Sequence, residues 1–128
     1  MLFRSIMASI VEIVSYFNSA KQQAIVWHQQ TEVYSEHKTL NEFYEEIVDL
    51  LDDLSESYAG IYGRLTPYDV HDLVDWTSTD DTIKYYRGCY DWLQEERKSA
   101  PQDSYIQNQL DEITQLLGST LYKLTLRK

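Results

Sequence analysis

The sequence contains few of the residues that cross-link or interrupt a chain: one cysteine (Cys89), two prolines and four glycines among 128 residues. A single cysteine excludes an intrachain disulfide and a zinc site built from several thiolates, so a reducing, cytoplasmic location is expected. No apolar run reaches the roughly 18–20 residues that a membrane-spanning helix needs, and no membrane association is expected.

Basic residues are also scarce, with 11 Lys and Arg against 21 Asp and Glu and a formal net charge of −10. Proteins that hold nucleic acid electrostatically need clustered basic side chains to displace counterions from the phosphates, so we expect no direct DNA binding. A strongly acidic chain instead favours solubility, attraction of cations, or a basic protein partner.

A 3.6-residue apolar period recurs along the chain, and the alternation typical of strands is absent. The period predicts amphipathic helices over residues 8–30 and 31–58, and two more. The third begins at Ser78-Thr79-Asp80-Asp81, a helix N-terminal signal with a capping serine, and the fourth begins near Ser99. The length suits one domain over residues 1–128, and the fold class is all-α, a four-helix bundle. Residues 1–7 are predicted to form the frayed beginning of the first helix.

A short extra helix is predicted between the second and third long helices. Thr66 and Pro67 form the pattern of an N-cap followed by proline at the first helical position, and an apolar stripe follows. That stripe consists of Val70, Leu73 and Val74. Tyr85 and Trp92 fall away from the inward face of the third helix. They are predicted to form a subunit contact or to pack against the extra helix.

The candidate metal ligands are His28, His37, Asp52 and Glu56. His28 lies inside the apolar stripe of the first helix, where it could be bonded to a hydroxyl or a carbonyl, or could bind a metal. The other three border the stripe of the second helix. A bound cation would offset the repulsion between Asp52 and Glu56, four residues apart, although the same pattern describes a solvated acidic face.

The pattern of Trp27-His28, His37, Asp52 and Glu56 resembles the signature of the Dps-like branch of the ferritin-like superfamily. His37 and Asp52 are fifteen residues apart and Glu56 follows four later, as in that branch. The closing sequence Tyr58-Ala-Gly-Ile-Tyr-Gly63 is similar to that of small ferritin-like proteins encoded by tailed phages. The resemblance implies a ferritin-like bundle and, for a phage-encoded chain, the host cytoplasm.

The resemblance also implies a site shared between two subunits of a homodimer or higher homo-oligomer. His28 and His37 would come from one subunit and Asp52 and Glu56 from its mate. Such a site would bind Fe(II), with Mn or Zn as alternatives, and the chain would be a ferroxidase that sequesters iron. Asn41 stands where the family usually has Asp, which removes one negative charge from the site.

The alternative is a non-enzymatic acidic helical bundle that acts through protein–protein interaction, as a phage accessory protein. An acidic protein of this kind could occupy the basic nucleic-acid-binding surface of a host protein. The sequence contains eleven tyrosines, and their amphipathic side chains suit interfaces. From the residues alone, both functions stay open.

Overall fold

The computed structural model describes residues 6–127, so residues 1–5 of the predicted frayed segment lie outside the described range. Four helices make up the fold: α1 (Ile6–Gln30), α2 (Tyr34–Tyr62), α3 (Thr79–Glu96) and α4 (Ser104–Leu124). No strand occurs within residues 6–127, and the prediction of an all-α bundle is confirmed. No helix in this range is long and apolar enough to cross a membrane.

The core forms where α2 packs against α1 on one side and α4 on the other, and α4 packs against α3. The predicted apolar stripes face this core. Its largest fully buried side chains are Tyr58, Tyr86, Phe17, Phe43, Ile10, Ile13, Leu40, Ile47, Leu54, Leu93, Ile106 and Leu110. Burial of such side chains is the main stabilising contribution in a bundle of this size.

The helix ends follow local signals to different degrees. Ser78 caps α3 as predicted, because its side chain accepts a hydrogen bond from the backbone N–H of Asp81. Gly63 ends α2 with φ of 105°, a conformation that side chains with a Cβ rarely adopt. The fourth helix begins at Ser104 rather than near Ser99, since residues Arg97–Ser99 form a separate 3-10 turn.

The predicted extra helix is wrong. Residues 64–78, which we call the strap, contain no helix and run in extended and irregular conformation along α1. Backbone N–H groups of the strap donate to side chains of α1 instead of to carbonyls within the strap. The four pairs are Asp69 N to Ser15 Oγ (3.1 Å), His71 N to Ser19 Oγ (3.0 Å), Val74 N to Gln23 Oε1 (2.8 Å) and Trp76 N to Gln30 Oε1 (2.7 Å).

These α1 side chains follow one another at intervals of about one or two helical turns, and so they share one face of α1. Gln23 is buried and bonds Val74 twice, since its Nε2 also donates to the Val74 carbonyl oxygen at 2.8 Å. Trp27 Nε1 donates to the same oxygen at 2.9 Å. The strap is therefore not helical because α1 supplies the hydrogen-bond partners that a helix would otherwise have to supply.

Tyr85 and Trp92 pack against α1, which neither of the predicted alternatives anticipated. The Trp92 ring stacks on Tyr16 with centroids 4.0 Å apart, and Tyr85 meets the edge of Trp27 at 5.0 Å. Large aromatic side chains thus fill the space between α1 and α3.

Candidate functional site

His28 and His37 lie together where α1 ends and α2 begins. Their rings stack with centroids 3.8 Å apart and planes inclined by 17°. His28 Nδ1 is 2.7 Å from the carbonyl oxygen of His37, and His37 Nδ1 is 2.7 Å from that of His28. The structure thus brings together the two histidines that the sequence singled out.

This reciprocal bonding fixes the tautomer of both rings. A carbonyl oxygen only accepts hydrogen bonds, so each Nδ1 must carry the proton and donate it. The carbonyl group of His28 lies in the last turn of α1, where carbonyl groups have no hydrogen-bond partner within the helix. The His37 side chain supplies that partner. The pair therefore joins two helix ends, and His28 fits the interpretation of a histidine bonded to a carbonyl.

A metal ion can reach these rings only through the remaining nitrogen, Nε2. An ion bound to imidazole lies near the ring plane, about 2 Å from the nitrogen. The planes of the two stacked rings are nearly parallel, at 17°, and their centroids are 3.8 Å apart. No point about 2 Å from both Nε2 atoms therefore lies near both ring planes. In this arrangement His28 and His37 do not fit as ligands of one shared ion.

Asp52 and Glu56 lie far from the histidines in the same chain. Fifteen residues of helix separate His37 from Asp52, which is roughly 20 Å at the rise of an α-helix. Both carboxylates are exposed on α2. The four predicted ligands thus form two separate pairs in one chain. No group of three or more potential ligands (His, Cys, Asp, Glu) that could hold a metal ion occurs in the described part of the chain.

Asn41 lies beside the histidine pair, and its Oδ1 accepts a hydrogen bond from the hydroxyl of Tyr44 at 2.5 Å. Tyr44 in turn contacts the ring of His28 edge-on, with centroids 5.4 Å apart. An open depression of about 430 Å³ adjoins these residues, lined by His28, Tyr34, His37, Lys38, Asn41 and Glu42. The amide is thus engaged within α2, and the depression carries both a cationic and an anionic side chain.

The middle of α2 carries a row of carboxylates with no basic residue among them. Between residues 39 and 62 the sequence has seven acidic residues and no Lys or Arg. We call these exposed residues the acidic row: Glu42, Glu45, Glu46, Asp49, Asp52, Asp53 and Glu56. Among the described residues, Glu42 is the member of the row that forms an ion pair, with Lys123 Nζ at 3.2 Å.

The acidic row borders a groove between α2 and α4, which we call the α2–α4 groove. Its volume is about 480 Å³, and it is lined by Glu46, Leu50, Glu112, Gln115, Leu116 and Ser119. Leu50 and Leu116 form its apolar part, while Glu46 on α2 and Glu112 on α4 add one carboxylate from each helix. Apolar and anionic groups thus line the same groove.

Glu36 is a buried carboxylate that the sequence interpretation missed. It is 1% exposed and accepts three hydrogen bonds, from Trp76 Nε1 (2.8 Å), Thr79 Oγ1 (2.5 Å) and Thr82 Oγ1 (2.7 Å). Thr79 and Thr82 lie in the first turn of α3, where the helix dipole favours an anionic group. The missed signal is that Glu36 precedes Leu40 by four residues, in register with the apolar stripe of α2.

A thiol and several aromatic rings fill the interior between α1 and α3. Burial raises the pKa of the Cys89 thiol to about 12, so the thiol stays protonated at neutral pH. Tyr16 donates a hydrogen bond to Cys89 Sγ at 3.5 Å, and burial likewise raises the pKa of Tyr16 and Tyr85. Buried, neutral groups of this kind are packing elements rather than nucleophiles.

Residues 28–124 match a family described as a family of unknown function (DUF5856). The chain belongs to this family. The matched range includes His28 and His37, the acidic row, the strap and the whole of α3 and α4.

A relative from Enterobacteria phage T4 is described as an uncharacterized 14.6 kDa protein in the mobD-ri intergenic region. It is 30% identical over 112 residues, which cover 88% of this chain and 79% of the relative. No solved structure gives a significant match to the chain. These relatives are consistent with a phage protein, and they carry no indication of iron binding.

Proposed function

We propose that the protein is a phage accessory protein that acts by binding a basic protein partner, without catalysing a reaction. The phage relative supports the first part of this proposal. Seven exposed carboxylates on α2 support the second, since six of them form no ion pair within residues 6–127. An acidic surface of this kind attracts and orients a cationic partner over distances of about 8–10 Å in physiological salt.

The observation that carries the proposal is the α2–α4 groove. Its leucines and carboxylates, on two different helices, match the two parts of a Lys or Arg side chain. The aliphatic stem can cover Leu50 and Leu116 while the charged group meets Glu46 or Glu112. The groove therefore suits a partner that inserts basic side chains from a helix or an extended segment.

The proposal is tested by reversing the charge of the groove. The double variant Glu46→Lys, Glu112→Lys is compared with Glu32→Lys, Asp91→Lys, which makes the same change in net charge at exposed sites off the groove. Each protein is used as bait in an extract of infected host cells. A carbodiimide then joins carboxylates directly to the lysines they touch, and the joined peptides are identified by mass spectrometry.

We expect the unmodified protein to retain a basic protein whose lysines become joined to Glu46 or Glu112. The groove variant should lose that protein roughly tenfold or more, and the control variant should retain it. Raising the salt concentration should weaken retention, because exposed charges are screened. Equal retention by both variants, or joined peptides that exclude both groove carboxylates, would contradict the proposal.

A second proposal is Dps-like binding and oxidation of Fe(II), with Mn or Zn as other metals. Two observations favour it: each histidine keeps Nε2 available, and Asp52 and Glu56 lie exposed on one helix where a second subunit could reach them. The stacked rings do not suit one shared ion, so each histidine would have to act separately. The fold would be ferritin-like and the protein at least a dimer.

Iron oxidation is tested by adding Fe(II) and peroxide to the purified protein and to the variant Asp52→Ala, Glu56→Ala. The matched control is Glu45→Ala, Asp49→Ala, which removes the same charge from the same exposed face. A metal site predicts slower oxidation only in the first variant. Equal rates in all three proteins, or a monomeric native mass, would exclude the shared site.

A further inference from the structure

The strap exposes apolar side chains although it is firmly bonded to α1. All residues from Thr66 to Asp75 are exposed, and Val70 is 81% and Val74 57% exposed. Tyr68 and Leu73 are also exposed. Clusters of exposed large apolar residues in a soluble protein commonly mark an interaction surface.

The exposure does not arise from a loosely held segment. Side chains of α1 bond the strap backbone at Asp69, His71, Val74 and Trp76, as described above. The C-terminal end of the strap is fixed as well, because Trp76 donates to the buried Glu36. A segment already held in one conformation loses little further conformational entropy when it binds.

A small pocket opens beside Val70, the most exposed large apolar side chain of the strap. It has a volume of about 140 Å³ and is lined by Asn18, Ser19, Gln22, Val70, His71 and Leu73. Strap and α1 together therefore offer a recess next to protruding apolar groups, which is the shape of a contact surface that interlocks with a partner.

The charges on the strap indicate what kind of partner fits. Asp69, Asp72 and Asp75 alternate with its apolar residues, and no Lys or Arg occurs between residues 65 and 83. A second copy of this chain, with the same net charge of −10, would bring like charges together at this surface. A basic surface with an apolar cleft would be complementary to both features.

We propose that the strap is a preformed recognition segment that binds an apolar cleft surrounded by basic residues on a protein partner. Val70 and Leu73 enter the cleft, and Asp69, Asp72 and Asp75 meet the basic residues around it. This inference rests on the proposed function, because it requires a basic protein partner. It concerns the surface of the strap, which lies along α1 and is separate from the α2–α4 groove.

The test uses benzoylphenylalanine, a photoreactive amino acid, in place of Tyr68 of the full chain. The matched control carries it in place of Tyr122, an exposed tyrosine of α4. Both proteins are produced in infected host cells and irradiated. The experiment is repeated with two variants of the protein that carries the photoreactive residue at position 68. The strap variant is Val70→Ser, Leu73→Ser, and the control variant is Ile61→Ser, Leu126→Ser, which changes two other exposed aliphatic residues.

We expect an adduct from position 68, absent from position 122, with a protein whose joined peptide contains Lys or Arg. The strap variant should reduce this adduct roughly tenfold or more, and the control variant should leave it unchanged. Equal adducts at both positions, an adduct with a second copy of the chain, or insensitivity to Val70→Ser, Leu73→Ser would overturn the inference. Circular dichroism of each variant verifies that it is folded.

The two proposals fail in different ways. If the strap inference alone is wrong, the groove variant Glu46→Lys, Glu112→Lys still loses a basic protein while the strap variant keeps it. If the proposed function is wrong, neither surface yields a basic protein, in extracts or in irradiated cells.

Discussion

In the interior of the bundle, apolar side chains point inward and the backbone bonds within its own helices. In the strap, polar side chains of α1 bond the backbone, and the apolar side chains between Thr66 and Asp75 are exposed. Two valines summarise the difference: Val14 on α1 is 3% exposed, and Val70 on the strap is 81% exposed. The same residue type is thus buried in the core of one region and exposed to solvent in the other.

The difference shows how a segment without a core of its own can be held in place. Each backbone group of the strap that meets Ser15, Ser19, Gln23 or Gln30 exchanges water for a protein partner, with a net gain of roughly 1 kcal/mol. Leu65 and Trp76, near the two ends of the strap, also pack against the core, whereas Val70 and Leu73 remain exposed. Val70 and Leu73 are therefore free for another role.

Glu36 connects the two regions. Its carboxylate lies at the end of the core stripe of α2, and it accepts hydrogen bonds from Trp76 of the strap and from Thr79 and Thr82 of α3. A buried carboxylate is tolerated only when it is well bonded. One side chain therefore fixes the strap to the bundle and sets where α3 begins.

The largest effect is expected in the interior. Phe43 is fully buried and meets Tyr86 edge-on at 4.9 Å. Phe43→Ala should lower the free energy of unfolding by about 4 kcal/mol, because it removes buried apolar surface and leaves a cavity. Urea unfolding followed by circular dichroism measures the change, with the exposed Val48→Ala as control. A loss of less than about 1 kcal/mol would mean that this part of the core is not close-packed.

The next effect concerns the junction between the regions. Glu36→Ala should lower the free energy of unfolding by about 3 kcal/mol, since it leaves Trp76 Nε1 and the Thr79 hydroxyl without an acceptor and Thr82 with the Ser78 carbonyl alone. Glu32→Ala, at an exposed position four residues earlier, should change stability by less than about 0.5 kcal/mol. Tryptophan fluorescence, to which Trp76 contributes, can be monitored in the same titration. Similar midpoints for both variants would show that Glu36 does not join strap and bundle.

Alkaline pH should weaken the interior more than the strap. Burial raises the pKa of the Cys89 thiol from 9.0 to about 12. The protonated thiol therefore contributes its full stabilisation below pH 9, the pKa in the unfolded chain, and this contribution is lost as the pH rises towards 12. At about pH 10.5 the free energy of unfolding should be lower by about 2 kcal/mol because of this thiol. The raised pKa of Tyr16 and Tyr85 adds to it in the same direction.

Cys89→Ala provides the control, because it removes the titrating thiol while changing little volume. Its free energy of unfolding should fall less steeply between neutral and alkaline pH than that of the unmodified protein. Parallel profiles would mean that the thiol reaches water in the folded state. A thiol reagent should also react with Cys89 only after unfolding.

The regular part of the fold was predictable because its signals are local. The apolar stripes of four helices and the Ser78 cap depend on residues within a few turns of one another, and the structure agrees with them. The strap was not predictable in this way. Thr66 and Pro67 form a valid helix-start pattern, but polar side chains of α1, about fifty residues earlier in the chain, bond the backbone instead.

In the candidate site, too, the features that depend on local sequence were predictable and the others were not. Proximity of His28 and His37 was predictable from a short connection between two helices, whereas their stacking and reciprocal bonds depend on exact backbone geometry. That Asp52 and Glu56 of a second subunit meet this pair stays a prediction. Glu36 could have been found, since a glutamate in register with an apolar stripe must find buried partners.

A smaller effect is expected where the strap meets α1. Gln23→Ala removes the paired hydrogen bonds to Val74, and should lower the free energy of unfolding by about 1–2 kcal/mol. Amide hydrogen exchange at Val74 should accelerate more than exchange in α4, because the strap opens locally. The neighbouring Gln22, which is exposed, provides the control variant Gln22→Ala. Equal exchange at Val74 in both variants would contradict the role assigned to Gln23.

The smallest effect should come from the most exposed apolar residue. Val70→Ser removes little buried surface, so the free energy of unfolding should change by less than about 0.5 kcal/mol, whereas Val14→Ser places a hydroxyl in the core and should cost several times more. Thermal unfolding of the two variants measures the difference directly. If Val70→Ser destabilises the chain as much as Val14→Ser, the strap is part of the core. If it leaves stability intact but abolishes the photoadduct from position 68, Val70 serves binding and not folding.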